Sequence, residues 1–234
     1  MNDPSGRPAS AAGKELKQER ALRTREGILD AAARLFADKG YPAVTILDVA
    51  QQTNITKGAV YFHYANKEAL AAAVTHEFYR RLPALAQNVD ELGLSPLASV
   101  AELLTRTALA LRDDTVMQAG ARLQIERALI GTDLPVPFQD YTSLVSTWLE
   151  KAVELGELRH TTPPGAMARV IVAAFFGTQH ISWVLHDRRD IAERTLELVE
   201  AVLPSCHDAL QTCPSARAVR TSVGGSLHGG TSAP

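Results

Sequence analysis

The chain has 234 residues, with 24 Lys and Arg against 26 Asp and Glu, a formal net charge of −2. Hydrophobic residues make up 46% of it, enough to bury a core without metals or disulfides. The longest unbroken apolar run, 170–176, is far too short to span a bilayer, and Cys206 and Cys213 match no zinc or redox spacing and are too few for a disulfide framework.

The N-terminal 13 residues hold no apolar h-region, so no secretory signal is expected, and a reducing cytoplasm is the expected compartment. The net charge at first counts against a nucleic-acid partner. By region it does not. Residues 1–67 hold ten basic and seven acidic side chains, whereas the remainder holds 14 basic and 19 acidic ones. A modestly basic N-terminal third is masked by an acidic rest.

In chain order the pattern is helical almost throughout, and the expected fold class is all-α. Ile28, Ala31, Ala32, Leu35 and Phe36 recur at helical spacing over 20–39, and Gly40 supplies the stop. Thr45, with Asp48 three residues on, reads as a capping box for a short helix ending near Gln52. Thr53-Asn54 is a turn signal, and Thr56 is the N-cap of a third short helix through Phe62. Asn66 caps a fourth, running through Leu70, Val74, Phe78 and Tyr79 towards Leu85. Further helices are expected near 96–112, 115–130, 138–155, 165–186 and 190–203, separated by Gly, Pro, Ser and Asp clusters. The polar, small residues before 14 and from Pro214 onwards are expected to be disordered.

Residues 45–64, TILDVAQQTNITKGAVYFHY, read as two short helices joined by a tight turn, a helix-turn-helix. The first helix braces across the DNA backbone and the second enters the major groove. Ile55, Ala59 and Phe62 are expected to face the core together. Thr56, Lys57, Val60 and Tyr61 are then left outward, with Gly58 permitting close approach. Lys57 can donate to guanine or phosphate, Thr56 can bond phosphate or touch a thymine methyl, and Tyr61 can donate to phosphate.

The longer run RTREGILDAAARLFADKGYPAVTILDVAQQTNITKGAVYFHYANKEALAAAV, residues 23–74, closely resembles the N-terminal DNA-binding domain of TetR-family transcriptional repressors. The matching positions include Ile28, Ala31, Ala32, Leu35, Phe36, Gly40, Thr45, Ala50, Gly58, Tyr61, His63, Lys67, Glu68 and Leu70. Tyr64 stands where the family commonly has Phe, and Asn54 where it often has Gly. The resemblance implies that Thr45 bonds phosphate and that Thr56, Lys57 and Gly58 approach bases. It implies that Tyr61 and His63 contact the backbone, that Lys67 sets its charge on phosphate, and that Arg20, Arg23 and Arg25 reach flanking DNA. A solvated helix face explains the arginines equally well, and a structural role between helices explains His63.

The C-terminal runs MQAGARLQIERA (117–128), PFQDYTSLVSTWLEKAVELGEL (137–158) and AAFFGTQHIS (173–182) resemble the γ-butyrolactone-type autoregulator receptors of that family, most of all those for furan or butenolide signals. The implied organisation is a flexible arm over 1–17, a helix-turn-helix domain over 18–67, a larger ligand-binding and dimerisation domain over 68–205 and a disordered tail over 206–234. A ligand pocket is mostly apolar with a few placed polar groups. Tyr79, Gln124 and Tyr141 are the polar candidates, with Phe138, Trp148, Phe175 and Thr178 beside them. Gln179 lies next to Thr178 on the most hydrophobic helix. Plain core packing is the competing reading for each aromatic; Arg122 and Arg127 can meet a ligand carboxylate, but an intramolecular ion pair is the expected role. Ala166, Val170, Ala173, Ala174, Gly177 and Ile181 form a small-residue stripe. With Ile191, Leu196, Val199 and Val202 it suits a four-helix bundle between two copies.

The expected partners are therefore double-stranded operator DNA, a small hydrophobic signal and a second copy of the chain, with no membrane. The expected mechanism is repression released by ligand through a tilt of the fourth helix, which runs from Lys67 to Tyr79. A pseudo-receptor or multidrug sensor answering antibiotics is the alternative within the family; an enzyme acting on a small lactone is the alternative outside it. No P-loop, GxSxG, HExxH or carboxylate pair is present, and no two of the seven His stand at i, i+4 spacing. No cofactor, metal or catalytic group is expected.

Overall fold

The computed structural model describes residues 9–136, 138–159, 162–203 and 207–226. Among these the helices are α1 (Ala9–Lys39), α2 (Ile46–Gln52), α3 (Lys57–His63), α4 (Lys67–Asp90), α5 (Pro96–Asp113) and α6 (Thr115–Ile125). They continue with α7 (Gln139–Glu154), α8 (Pro164–His186), α9 (Ile191–Val202), α10 (His207–Thr212) and α11 (Pro214–Ser226). No strand occurs among the described residues. They fall into two compact units. One runs through Phe78 and takes in Gln118–Leu134; the other joins Tyr79–Met117 to the chain from Pro135 onwards.

In the first unit α1 packs on α2, and α2 on α3. Ile28, Ala31, Ala32 and Phe36 are fully buried, as their helical spacing requires, and so are Val49, Val60 and Leu70. Gly40 stops α1 at φ +78°, and Asn54 makes the turn between α2 and α3 at φ +53°. The capping box is complete. Asp48 N donates to Thr45 Oγ1 at 3.2 Å, while Thr45 N and Oγ1 both donate to Asp48 Oδ2 at 2.7 Å. Those bonds hold the Asp48 carboxyl below the ordinary 3.8. Its folded value lies below the unfolded one, so its contribution is full above about pH 4 and fades as pH falls through the folded value. Asp48→Ala is therefore expected to lower the melting temperature at pH 6, and the gap to the wild type should narrow by pH 2.5. A gap equal at both values would show that the carboxylate plays no part.

Three expectations need correction in this unit. Helix α1 begins at Ala9 and not near Arg20, because the arm residues Ala11, Ala12, Lys14, Glu15, Leu16, Lys17, Gln18 and Glu19 are strong helix formers. On α3, Val60 is fully buried while Phe62 is 81% exposed. Ile55 precedes the cap and so does not set the helical phase; from Thr56 onward, Val60 and the buried Tyr64 share the inner face. The helix expected over 115–130 ends at Ile125 and passes into a 3-10 turn at Arg127–Leu129.

In the second unit α5 is the central helix, packed by α7, α8, α9, α10 and α11. Ser95 caps it and Pro96 occupies its first turn. The α9 residues Ile191, Leu196 and Val199, read as a dimer face, are buried in this unit's own core, and Val202 is half-buried. The expected disordered tail is corrected as well, since α10 and α11 lie within it. Leu210, Cys213, Ala216 and Val219 recur every three residues and are all buried. Ser215 N and Oγ donate to the fully buried Glu102 of α5, at 3.0 and 2.7 Å, and Cys213 Sγ donates to Ala98 O. Cys206 lies outside the described residues.

By length and composition alone, α8 is long and apolar enough to cross a membrane, which the seven-residue run had failed to register. Its apolar side chains divide between two faces. Met167, Ala168, Ile171, Val172 and Phe175 are buried, while Val170, Ile181, Val184 and Leu185 form an exposed stripe with Ala173 and Gly177.

Candidate functional site

The surface of α3 is built by its cap. Thr56 Oγ1 accepts from Ala59 N at 3.1 Å, which fixes the helix start and leaves the hydroxyl proton outward. Thr56, Lys57, Gly58 and Tyr61 are all exposed. A Cβ on Gly58 would meet nothing nearer than Thr56 Oγ1 at 3.8 Å, so the surface there is open. Lys57 Nζ stands 5.7 Å from the Tyr61 ring centroid, and Lys57 makes no ion pair among the described residues. These four residues form one polar, cationic strip along the exposed side of α3.

The neighbouring candidates are more committed. Thr45 gives its hydroxyl proton to Asp48. Arg20 is exposed, and Arg23 pairs with Glu19 at 2.5 Å. His63 is half-buried and meets Phe62 edge-on. Lys67 Nζ donates to Tyr41 O at 3.0 Å and sits 4.1 Å from that ring's centroid, so the structure gives its charge a partner within the unit. Tyr64 uses the hydroxyl that distinguishes it from Phe to donate to Arg25 O at 3.5 Å, and Arg25 lies over its ring.

The end of α6 is bolted to the α1–α2 corner in the same unit. Arg122 Nη1 donates to Ala37 O at 3.0 Å and Asp38 O at 2.8 Å, satisfying carbonyls at the end of α1. Its Nε donates to Glu126 Oε1 at 3.0 Å, and Glu126 Oε2 accepts from Tyr41 N at 2.6 Å. Arg122 thus forms the expected ion pair, whereas Arg127 donates to Gln124 Oε1 and to Leu134 O. Tyr41 donates in turn to Glu68. Burial, and then that carboxylate, push the Tyr41 phenol up to about 12.

The second unit holds a cavity of about 550 Å³. Tyr79, Leu82, Pro83 and Ala86 of α4 line one side; Tyr141 and Leu144 of α7, with Pro135 and Val136, line another. Gln87, Asp90, Gln139 and Asp140 add polar groups. Behind Tyr141 lies an aromatic stack. Phe175 is parallel to it at 6.5 Å, Phe176 meets both edge-on, and Phe138 packs on Phe176 at 4.3 Å. Phe138 is held at φ +64°, a costly conformation for a bulky residue.

Of the predicted ligand residues, the cavity brings together Tyr79 and Tyr141. Phe138 and Phe175 support Tyr141 through the stack. Trp148 is buried and Thr178 half-buried, and neither lines the cavity. Gln124, of the other unit, is buried with its Nε2 unpartnered. Two further buried polar atoms lack a hydrogen-bond partner, Gln179 Nε2, on the helix already singled out, and Thr75 Oγ1, which sequence reasoning passed over. Their only signal is a polar residue at a core position of a helix.

A capped pair of short helices with an exposed cationic reading face defines a helix-turn-helix DNA-binding protein. Residues 28–74 match the family model for bacterial regulatory proteins of the tetR family. The A-factor receptor protein of Streptomyces griseus is 36% identical over 189 residues, covering 81% of this chain and 66% of the receptor's length. A solved structure reported as the molecular basis for control of antibiotic production by a bacterial hormone is 50% identical. It covers 79% of this chain and 97% of its own, with a TM-score of 0.73. The crystal structure of a gamma-butyrolactone receptor is 28% identical, covering 78% and 97%, with a TM-score of 0.62. The chain belongs to the tetR family of bacterial regulatory proteins.

Proposed function

We propose that the chain is a transcriptional repressor that holds a pseudo-palindromic operator as a homodimer. On this reading it lets go when a small signal of γ-butyrolactone, furan or butenolide type fills the cavity beside Tyr79 and Tyr141. The observation that carries the reading is that apolar cavity with its few polar groups, in a chain that also bears the Lys57 reading face. The receptor names of its relatives support the signal class, and the hormone-linked structure supports secondary-metabolite genes as targets. The exposed apolar stripe of α8 supplies the face for a second copy. Helix α4 runs from Lys67 to beyond Tyr79 and would carry the change between sites. The chain works in the cytoplasm and turns nothing over.

Fluorescence anisotropy with a selected operator at fixed salt tests this. Saturating lactone is expected to weaken binding by roughly 5–150-fold, the range of a coupling of ~1–3 kcal/mol. Operator affinity unchanged at ligand saturation would sink the mechanism. Release by antibiotics but not by lactones would move the protein to the multidrug-sensor reading, and release of a hydrolysed lactone would make it an enzyme.

A further inference from the structure

Among the described residues Phe62 is the most exposed of the large hydrophobic side chains, at 81%. Burial is the main gain open to a phenyl group in water, and within this chain Phe62 forgoes it. The phase of α3 is the reason. Val60 and Tyr64 face the core, and each stands two residues, about 200° of turn, from Phe62. Gly58, four residues back, shares the outer side with it. That side is open, since a Cβ on Gly58 would meet nothing nearer than Thr56 Oγ1 at 3.8 Å. Lys57 Nζ, 5.7 Å from the Tyr61 ring centroid, lies along one flank of the row from Gly58 to Phe62. The His63 ring stands T-shaped to the phenyl, with centroids 5.1 Å apart. A bare aromatic group is thus set beside polar and cationic ones on a single short helix.

From this geometry we infer that Phe62 is a specificity-determining side chain, whose ring covers the C5 methyl group of one thymine in each half of the operator. The inference rests on the reading of α3 as the helix that enters the groove. The base edges of the major groove offer hydrogen-bond donors, acceptors and one apolar group, the thymine methyl. Thr56, Lys57 and Tyr61 can serve the polar groups. A phenyl ring can bond none of them, and laid over them it would strip their water without replacing it. Its gain comes from the methyl alone. The Lys57 flank fits a groove between phosphates better than a protein partner, because the covered centre of a protein interface is depleted in charge.

The test removes single methyl groups from the DNA. An operator selected from a random pool is remade with deoxyuridine in place of each thymidine in turn, which deletes the methyl and keeps pairing, hydrogen bonds and charge. Binding of the full chain is measured by fluorescence anisotropy at fixed salt. At one position the wild type is expected to lose about threefold per methyl removed, and about tenfold when the matching thymine of the other half-site is changed too. Phe62→Ala should bring the thymine-to-uracil ratio at that position to about one and leave thermal unfolding unchanged. Phe62→Leu should keep part of the ratio, because it keeps an apolar group. Lys57→Ala should weaken both duplexes and leave the ratio in place. If Phe62→Ala weakens thymine and uracil duplexes alike at every position, or if it lowers the melting temperature as a core residue would, the inference is overturned and operator recognition still stands. A wild type that does not prefer the selected operator over unrelated DNA overturns both.

Discussion

Lys57→Ala is expected to weaken operator binding by roughly thirtyfold or more while leaving lactone binding and thermal unfolding unchanged. Lys57 is exposed at the first position of α3, just after a cap that fixes where the helix points. Among the described residues no carboxylate neutralises it, whereas Arg23 pairs with Glu19. One contact of this kind to a base edge is worth about 1–3 kcal/mol. A two-fold dimer presents it twice, so about 2–6 kcal/mol is at stake, and each 1.4 kcal/mol is about tenfold. The salt dependence separates two modes of action. If Lys57 only neutralises phosphate, the variant should lose about one unit of salt slope per copy and bind all sequences more weakly; if it reads a base, selectivity at one position should relax. Arg23→Ala serves as the comparison and should cost less. Parallel loss of lactone binding would mean a misfolded variant and remove Lys57 from the reading face.

The reading helix was legible because its signals are local. Thr45 with Asp48, Thr56 before Lys57 and Asn54 in the turn each act within four residues, and each is found where expected. The error over Val60 and Phe62 was one of phase, since a helical wheel is only as good as the cap from which it is counted. Seven residues give too little repeat to correct a wrong start.

The parts that stayed hidden depend on groups far apart in the chain. Ser, Gly and Thr made 214–226 look like a tail. Its inner stripe is small, Cys213, Ala216 and Val219, and what fastens it is a buried carboxylate 113 residues earlier, Glu102 beneath Ser215. No composition rule exposes a partner of that kind. The same holds for Arg122. Its ion pair with Glu126 follows from i, i+4 spacing, but its bonds to Ala37 O and Asp38 O span 85 and 84 residues. In the cavity, Tyr79 and Tyr141 were readable from residue type and family pattern. The hydrogen bond between the Thr107 and Tyr141 hydroxyls was not, because a threonine inside an amphipathic helix ordinarily bonds only its own backbone.

Gly120→Ala is expected to destabilise the protein by about 2–3 kcal/mol, through overpacking. A glycine inside a helix costs up to about 1 kcal/mol relative to alanine, so propensity alone predicts the opposite sign. Packing decides the matter. A Cβ on Gly120 would lie 2.7 Å from Phe78 Cδ2 and nearer still to Phe78 Cβ and Cγ. Phe78 is only 1% exposed, and its Cβ is fixed to the backbone of α4, so no rotamer change relieves the contact. The two helices must part, which loosens the packing around both. In a chain of this size the loss corresponds to roughly 5–10 °C in melting temperature. Phe78→Ala would remove Cγ and Cδ2 but keep Cβ. The double variant should therefore be less destabilised than the sum of the two single ones, without returning to the cost of Phe78→Ala alone. Strict additivity would show that the helices already stand far enough apart for a methyl group. A rise in stability on Gly120→Ala would show that propensity, and not the close approach of α4 and α6, governs this position.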